Sequence, residues 1–293
     1  MPDGDIKSVI MFRYLRVSVL VVLEEELPTA IALPTVDAGA DLLRRFGGLE
    51  RLYGVDPARR IRDAHVAIVG IGGVGSWAAE ALARSGVGRL TLIDLDHVSE
   101  SNVNRQVHAL SSTLGQAKID AMSERIALIN PTCQVTCVDA FVEPGNWPAL
   151  IAPGVHATID ACDQIKAKTA MAEWARRTRA IFVSVGAAGG KRHAYKVDVA
   201  DLSETTHDPL LAQMRYRLRK EHAAPREGKK IGVACVFSRE AVKPADTSCQ
   251  VEQGDNSLNC HGYGSVVSVT ATFGMCAAGW ILDKISETSQ SHG

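Results

Sequence analysis

The chain has 293 residues, 46% of them apolar and 22% charged. These are ordinary globular proportions in a chain long enough to bury a sizeable core, as one large domain or two modest ones, and they exclude a disordered, collagen-like or coiled-coil protein. With 32 Lys and Arg against 33 Asp and Glu the net charge is −1, so no chain-wide field advertises nucleic-acid binding and any such contact must come from a local patch.

Residues 1–40 are unlike the rest. The apolar run Ser18–Leu23 follows Arg13 and Arg16 and runs directly into Glu24, Glu25 and Glu26. It superficially resembles a signal peptide, but the run is short, acids come at once after it, and no small-residue cleavage site is evident. We read it as a poorly ordered extension, or as a stretch upstream of the true start. His65–Val69 is a short apolar run ending in glycine and reads as a buried parallel strand. Gly70-Ile-Gly-Gly-Val-Gly75 comes next, then a helix over 76–85 with apolar residues at Ala78, Ala81 and Leu82. Further strands are expected at 89–93, 134–138, 155–159 and 180–185, with helices at about 115–130 and 166–177. Strands alternating with helices predict a doubly wound, Rossmann-like α/β fold with a mostly parallel sheet and its site at the strand carboxyl ends. After Gly190 the alternation weakens. Residues 208–222 read as a basic helix and 223–230 as a polar loop. Val266–Leu282 carries no charge but is too short and too rich in Gly, Ser, Thr and Ala for the roughly 20 apolar residues of a membrane span. It reads as a helix buried against the sheet or a partner subunit. The expected organisation is a domain over 41–285, with a nucleotide-binding half at 60–190 and a substrate and dimer part at 191–285.

Gly70, Gly72 and Gly75 fit G-x-G-x-x-G between a strand and a helix. Glycines let backbone approach phosphates, and the helix N-terminus supplies N–H donors. Asp94 ends the next strand, where a carboxylate meets ribose hydroxyls. Alone this points to NAD. The residues beyond Asp94 point elsewhere: Ser101-Asn-Val-Asn-Arg-Gln106 leads to Lys118, 13 residues after Arg105. A dehydrogenase needs no such cations aimed at a nucleotide tail, whereas an enzyme that cleaves ATP needs them to neutralise charge developing during phosphorus chemistry. Asp163 comes after the fourth strand, where a carboxylate can hold Mg²⁺ beside phosphates. Singly, Arg105 and Lys118 could be surface charges and Asp163 a helix cap. Their placement after successive strands favours ATP.

The glycine loop, the stretch Asp94–Gln106, the Gly115-Gln-Ala-Lys118 step and Asp160-Ala-Cys-Asp163 together resemble the adenylating domain of the ubiquitin-activating-enzyme superfamily, which includes the activators of the thiamine and molybdopterin sulfur carriers. The similarity spans roughly 42–285. The resemblance implies carboxylate activation with ATP and Mg²⁺, with a monovalent cation as a further candidate. It places Gly70, Gly72, Gly73, Gly75, Asp94, Asp96, Asn102, Arg105 and Lys118 at the nucleotide, with Asp94 on the ribose and Asn102, Arg105 and Lys118 on the phosphates. Arg105, Lys118 and Asp163 would be catalytic and Asp163 the metal ligand. It further implies a homodimer, in which Arg45, Arg51 or neither would reach the partner's site, Gly48 standing where other branches carry that arginine.

Seven cysteines lie at 133, 137, 162, 235, 249, 260 and 276, with no CxxC pair. Paired zinc knuckles are therefore not expected, and the cysteines read as thiols of a reducing cytosol. Sulfur-carrier activators generally carry two such pairs. The glycine-rich Ser184–Gly190, Asp208-Pro-Leu-Leu, the run Arg215–Lys220 and Gly232–Ser238 instead resemble the tRNA-modifying branch. That branch activates the threonyl carboxylate of a modified adenosine beside the anticodon, closing a ring with loss of water. The alternative is adenylation of the C-terminal Gly of a ubiquitin-like sulfur carrier. Non-catalytic scaffolding of a desulfurase system and an NAD enzyme are weaker readings. Cys235 reads as a buried structural thiol, with persulfide acceptance from a cysteine desulfurase as the lesser reading. Between Arg215 and Lys230 stand seven cations against Glu221 and Glu227. This segment is the candidate tRNA contact, against the plainer reading of a solvated helix face.

Overall fold

The structure, a computed structural model, describes residues 41–226, 228–244 and 263–288. The readings made for residues 1–40, Glu227, Cys249 and Cys260 lie outside those residues. The aliphatic runs His65–Val69 (β1), Arg89–Ile93 (β2), Gln134–Val138 (β3), Ala157–Asp160 (β4) and Ile181–Val185 (β5) are parallel strands. Ala234–Ser238 (β7) pairs parallel with β5, and Val197–Asp201 (β6) closes the edge antiparallel to β7. The sheet order is β3-β2-β1-β4-β5-β7-β6. The chain thus builds outward from β1 in one direction and from β4 in the other, and the crevice at that reversal is where open α/β sheets hold ligands.

Seven helices accompany the strands among the described residues: Leu42–Tyr53 (α1), Val55–Asp63 (α2), Gly75–Arg84 (α3), Lys118–Ile129 (α4), Ile165–Thr178 (α5), Pro209–Glu221 (α6) and Val267–Glu287 (α7). One face of the sheet is covered by α3, α4 and α7, with Leu82, Met122, Phe273 and Ile281 in a shared core. The opposite face carries α5 and α6, packed through Met171, Leu211, Met214 and Leu218. Each such side chain contributes about 1.5–3 kcal/mol by leaving water.

The expected strands and most helices appear within two or three residues of their forecast bounds, whereas α7 runs five residues past Leu282 to Glu287, and α4 starts three residues late. It begins at Lys118 rather than Gly115 because Gly115 sits at φ +83° and the backbone of Gln116 is taken up by Val98. The expectation for Val266–Leu282 resolves in favour of the sheet. Val269, Phe273, Ala277, Ala278, Ile281 and Ile285 of α7 are buried within the chain itself, so the missing charge needs no partner subunit to account for it. No described helix is long and apolar enough to cross a membrane.

Candidate nucleotide and catalytic site

The first turn of the site is dictated by sterics. Gly70 closes β1 at φ +87°, and a Cβ there would lie 2.9 Å from the backbone of Ala161. A Cβ on Gly75 would lie 1.7 Å from the Gly70 carbonyl oxygen. Only glycine lets the chain leave β1, fold back on itself and start α3 in this space. The turn opens a cavity of about 580 Å³ at the carboxyl ends of β1, β2 and β4. Gly70, Gly72, Gly73, Asp94, Asp96, Asn102, Arg105, Lys118 and Asp163 all line it. Gly75 does not; its part is to make the turn possible.

Asp94 is buried at the end of β2. Its carboxylate accepts the Ile71 N–H at 2.5 Å and the Asp96 N–H at 2.9 Å, which ties the glycine turn to the β2 exit. Burial pushes its pKa up, against the pull of Lys118 and of those two N–H groups. Lys118, at the start of α4, is buried along its stem and reaches Asp96 Oδ2 at 2.7 Å. Asn102 is buried and caps its own turn, its Oδ1 accepting the Ser99 N–H at 3.2 Å. Arg105 Nη1 donates to Ser101 O at 2.6 Å and to Asn104 Oδ1 at 2.9 Å. Trp77 Nε1 and Thr270 Oγ1 donate to the Arg105 carbonyl at 3.0 and 3.4 Å, so α3 and α7 both hold this residue's backbone. Arg105, Lys118 and Asp163 thus share one cavity, with Asp163 exposed just beyond β4, after the Ala161–Cys162 backbone that packs against the glycine turn.

Two elements of the site escaped the sequence reading. Gln106 is buried, lines the cavity and leaves its Oε1 without a hydrogen-bond partner; its position next to Arg105 was the available signal. The second is the pair Asp160–Lys168, both side chains fully buried with Nζ 2.9 Å from Oδ2. Lys168 also donates to Cys162 O at 3.0 Å, and Ser184 Oγ donates to Asp160 Oδ2 at 2.6 Å. Burial works against the Lys168 charge, yet Asp160 beside it holds its pKa above the ordinary value. This knot fixes the turn that presents Asp163. Nothing in the sequence distinguishes Lys168 from its exposed neighbour Lys166.

Two described thiols, Cys235 and Cys162, are held in their protonated form. Cys235 is fully buried in β7, and burial raises its pKa well above the usual thiol range. Cys162 lines the cavity, but burial and Asp160, to which its thiol donates at 3.1 Å, raise its pKa as well. No cluster of His, Cys, Asp and Glu able to hold a metal by itself occurs among the described residues. The two candidate arginines of α1 stand apart from the cavity. Arg45 donates to Ile129 O at the end of α4 at 2.9 Å, and Arg51 is exposed. The basic segment also divides. Arg215 spends Nη1 on Leu202 O, Thr205 O and Thr205 Oγ1 at 2.9 to 3.0 Å, and Arg219 donates to Pro225 O at 3.1 Å. Those two are structural. Lys220, Arg226, Lys229 and Lys230 are the exposed cations.

A Rossmann-like sheet whose reversal point presents a glycine turn, a buried carboxylate and paired cations defines a nucleotide-binding α/β protein equipped for ATP chemistry. The chain belongs to the ThiF family, whose profile matches residues 47–292. The tRNA threonylcarbamoyladenosine dehydratase of Escherichia coli K12 is 43% identical over 258 residues, 85% of this chain and 96% of that protein. A crystal structure of the E. coli tRNA N6-threonylcarbamoyladenosine dehydratase in complex with ATP superposes with a TM-score of 0.76 at 42% identity, over 86% of this chain and 97% of that one. The molybdopterin-synthase adenylyltransferase of Salmonella typhimurium is 39% identical over 108 residues, but these make up 37% of this chain and 43% of that protein.

Proposed function

We propose that the chain is an ATP-dependent tRNA threonylcarbamoyladenosine dehydratase acting in the cytosol, with residues 60–190 as its nucleotide half and 191–285 completing the substrate side. The observation that carries this is the gathering of Asp94, Asn102, Arg105, Lys118 and Asp163 around one cavity, together with near-full-length similarity to such a dehydratase. Adenylation of a carrier protein has less support, since the likeness to a molybdopterin-synthase adenylyltransferase covers little more than a third of the chain.

A carboxylate is a poor electrophile because its leaving group would be oxide. In the proposed reaction a carboxylate oxygen of the threonyl group bonds to phosphorus of ATP, releasing pyrophosphate or ADP. The nitrogen tethered in the same substituent then bonds to the carbonyl carbon and loses its proton as AMP or phosphate departs with that oxygen. The sum is one water removed from the nucleoside. Arg105 and Lys118 neutralise the charge that gathers on the phosphates, and Asp94 holds the ribose. Asp163 fits a Mg²⁺ role: it is an exposed carboxylate on the cavity wall with no ion pair among the described residues. Asp163 would hold Mg²⁺, which would supply further charge neutralisation. A tethered nucleophile brings a large effective molarity, so no thioester is needed, consistent with the raised thiol pKa values of buried Cys235 and of cavity-lining Cys162. A sulfur-transfer partner and a homodimer rest on family pattern alone.

The test is mass spectrometry of nucleosides after incubating the purified chain with ATP, Mg²⁺ and tRNA bearing threonylcarbamoyladenosine. The expected result is an ATP-dependent loss of one water, abolished in Arg105→Ala and Lys118→Ala proteins that keep their fold. An unchanged nucleoside despite ATP binding would refute the reading.

A further inference from the structure

The chain around β6 builds a surface that the reaction itself does not use. Past β7 the chain continues through Arg239 and Glu240 to Val242, and the segment Gly190–Lys196 runs beside it. Backbone bonds join the two, from Arg239 N–H to Lys196 O and from Lys243 N–H to Gly190 O, each 2.9 Å. At one end of this ledge Gly189 and Val242 line the nucleotide cavity. At the other, the rings of His193 and Tyr195 lie 5.2 Å apart, tilted by 34°, and Tyr195 is 80% exposed. Tyr195 lies six positions on from Gly189, at most about 20 Å of chain.

The ledge is built rather than merely connected. Lys191 is buried and donates its ammonium to His207 O and Glu240 O, both at 3.0 Å. Buried Glu240 accepts the N–H groups of Arg192 and His193 at 3.0 and 2.8 Å, and its other oxygen lies 3.7 Å from His193 Nε2. Burying an ammonium and a carboxylate carries a desolvation cost, which a simple connection would not need. The result is a braced backbone on which the His193 ring stands beside that of Tyr195, and a braced segment loses less conformational freedom on binding.

Charge on the ledge is one-sided. Residues 191–200 and 237–244 hold five cations (Lys191, Arg192, Lys196, Arg239 and Lys243) and two acids (Asp198 and Glu240). Both acids are engaged, Asp198 by Arg239 at 2.7 Å and Glu240 by the backbone. Arg192, Lys196 and Lys243 are exposed with no acid left on the ledge to offset them. Tyr195 is the one large hydrophobic exposed there, so this is no apolar patch of the kind that docks proteins. An aromatic face flanked by cations suits single-stranded nucleic acid, because every base has a stackable face and every nucleotide a phosphate.

We propose that this ledge docks the single-stranded loop that carries the modified adenosine. Tyr195, steadied by His193, stacks on a base outside the cavity, while Arg192, Lys196 and Lys243 meet the flanking phosphates. The inference rests on the tRNA reading above. It is tested by fluorescence anisotropy of the full chain with an anticodon stem-loop RNA. Tyr195→Ala weakens binding about tenfold and Tyr195→Phe stays within about twofold, as stacking requires. Joint Arg192→Ala and Lys196→Ala flattens the dependence of log affinity on log salt by about 1.4. The stabilisation of each variant by ATP is unchanged. Wild-type RNA affinity in Tyr195→Ala, or an altered oligomeric state in place of altered RNA affinity, overturns the ledge. If the wild-type chain dehydrates the nucleoside while Tyr195→Ala binds RNA normally, the reaction stands and the ledge falls. If the variants lose RNA as expected but the wild-type chain leaves the nucleoside intact, the ledge stands and the reaction falls. A wild-type chain that binds no RNA refutes both.

Discussion

Replacing Lys168 by Met removes one half of an ion pair from which water is wholly excluded. The ammonium lies 2.9 Å from Asp160 Oδ2, both side chains being 0% exposed, and also holds Cys162 O at 3.0 Å. Methionine is similar in length and unbranched, so most packing survives and the loss is electrostatic. What remains is a buried carboxylate whose only nearby donors are the Ser184 hydroxyl and the N–H and thiol of Cys162. An uncompensated buried charge of this kind costs about 3–5 kcal/mol. In a domain of this size each kcal/mol moves Tm by roughly 2–4 °C, so Tm should fall by roughly 6–20 °C. Adding Asp160→Asn removes the stranded charge and should recover more than half of the loss. Turnover in Lys168→Met should fall even well below its Tm, because the turn presenting Asp163 loses its anchor while Arg105 and Lys118 are untouched. Thermal unfolding of the single and double variants decides the matter. A single variant within about 2 °C of wild type, or a double variant no more stable than the single, would show that the pair does not hold this turn.

Arg215→Ala should cost about 1–3 kcal/mol of stability, since it strands the carbonyls of Leu202 and Thr205 in partly buried positions; an unchanged urea midpoint would contradict that bonding. Neutralising Lys220, Arg226, Lys229 and Lys230 together should leave Tm unchanged and reduce the salt slope of tRNA binding by about 3, and an unchanged slope would move the phosphate contacts off the end of α6. His108 is buried with neither ring nitrogen partnered, and burial, with Lys118 and Arg125 nearby, pulls its pKa from 6.5 to about 4. Between those values the unfolded chain binds a proton that the folded chain does not. Stability should therefore decline as pH falls from 6.5 and level off near 4, with a total loss of about 3 kcal/mol. His108→Phe should flatten that part of the stability profile, and a variant profile parallel to wild type would rule His108 out as its source.

The half of the fold that carries the nucleotide was legible because a parallel sheet writes itself plainly. β1, β2, β4 and β5 are buried over almost their whole length, so they read as mainly apolar runs, and β1, β2 and β4 lead into or end at Gly70, Asp94 and Asp160. β6 was not legible: Val-Asp-Val-Ala-Asp is an edge strand, half-buried throughout, and its pairing to β7 spans more than thirty residues. Nor does α1 show itself as a helix, because Gly47 and Gly48 sit in its middle and lower its propensity. The site residues were readable as residue types at strand ends, whereas the division of labour inside the basic segment was not. Whether an arginine faces solvent or a carbonyl depends on what packs beside it: Arg215 meets the turn after β6, and that turn was invisible without β6.

Sulfur-carrier activators and the proposed dehydratase share the first half of their chemistry, and what separates them is where the acceptor comes from. An enzyme that hands an activated acyl group to another molecule needs a reactive thiol or an entry for a second partner. Among the described residues the thiols nearest the cavity are Cys162 and Cys235, and burial raises the pKa of both although the Lys168 ammonium is close to each. Lys168 draws both values down, but exclusion of water outweighs that pull, nearby carboxylates such as Asp160 raise the values further, and both sulfurs stay protonated. A site arranged this way can still support acyl activation, provided that the nucleophile arrives attached to the carboxylate, as it does in a threonylcarbamoyl group.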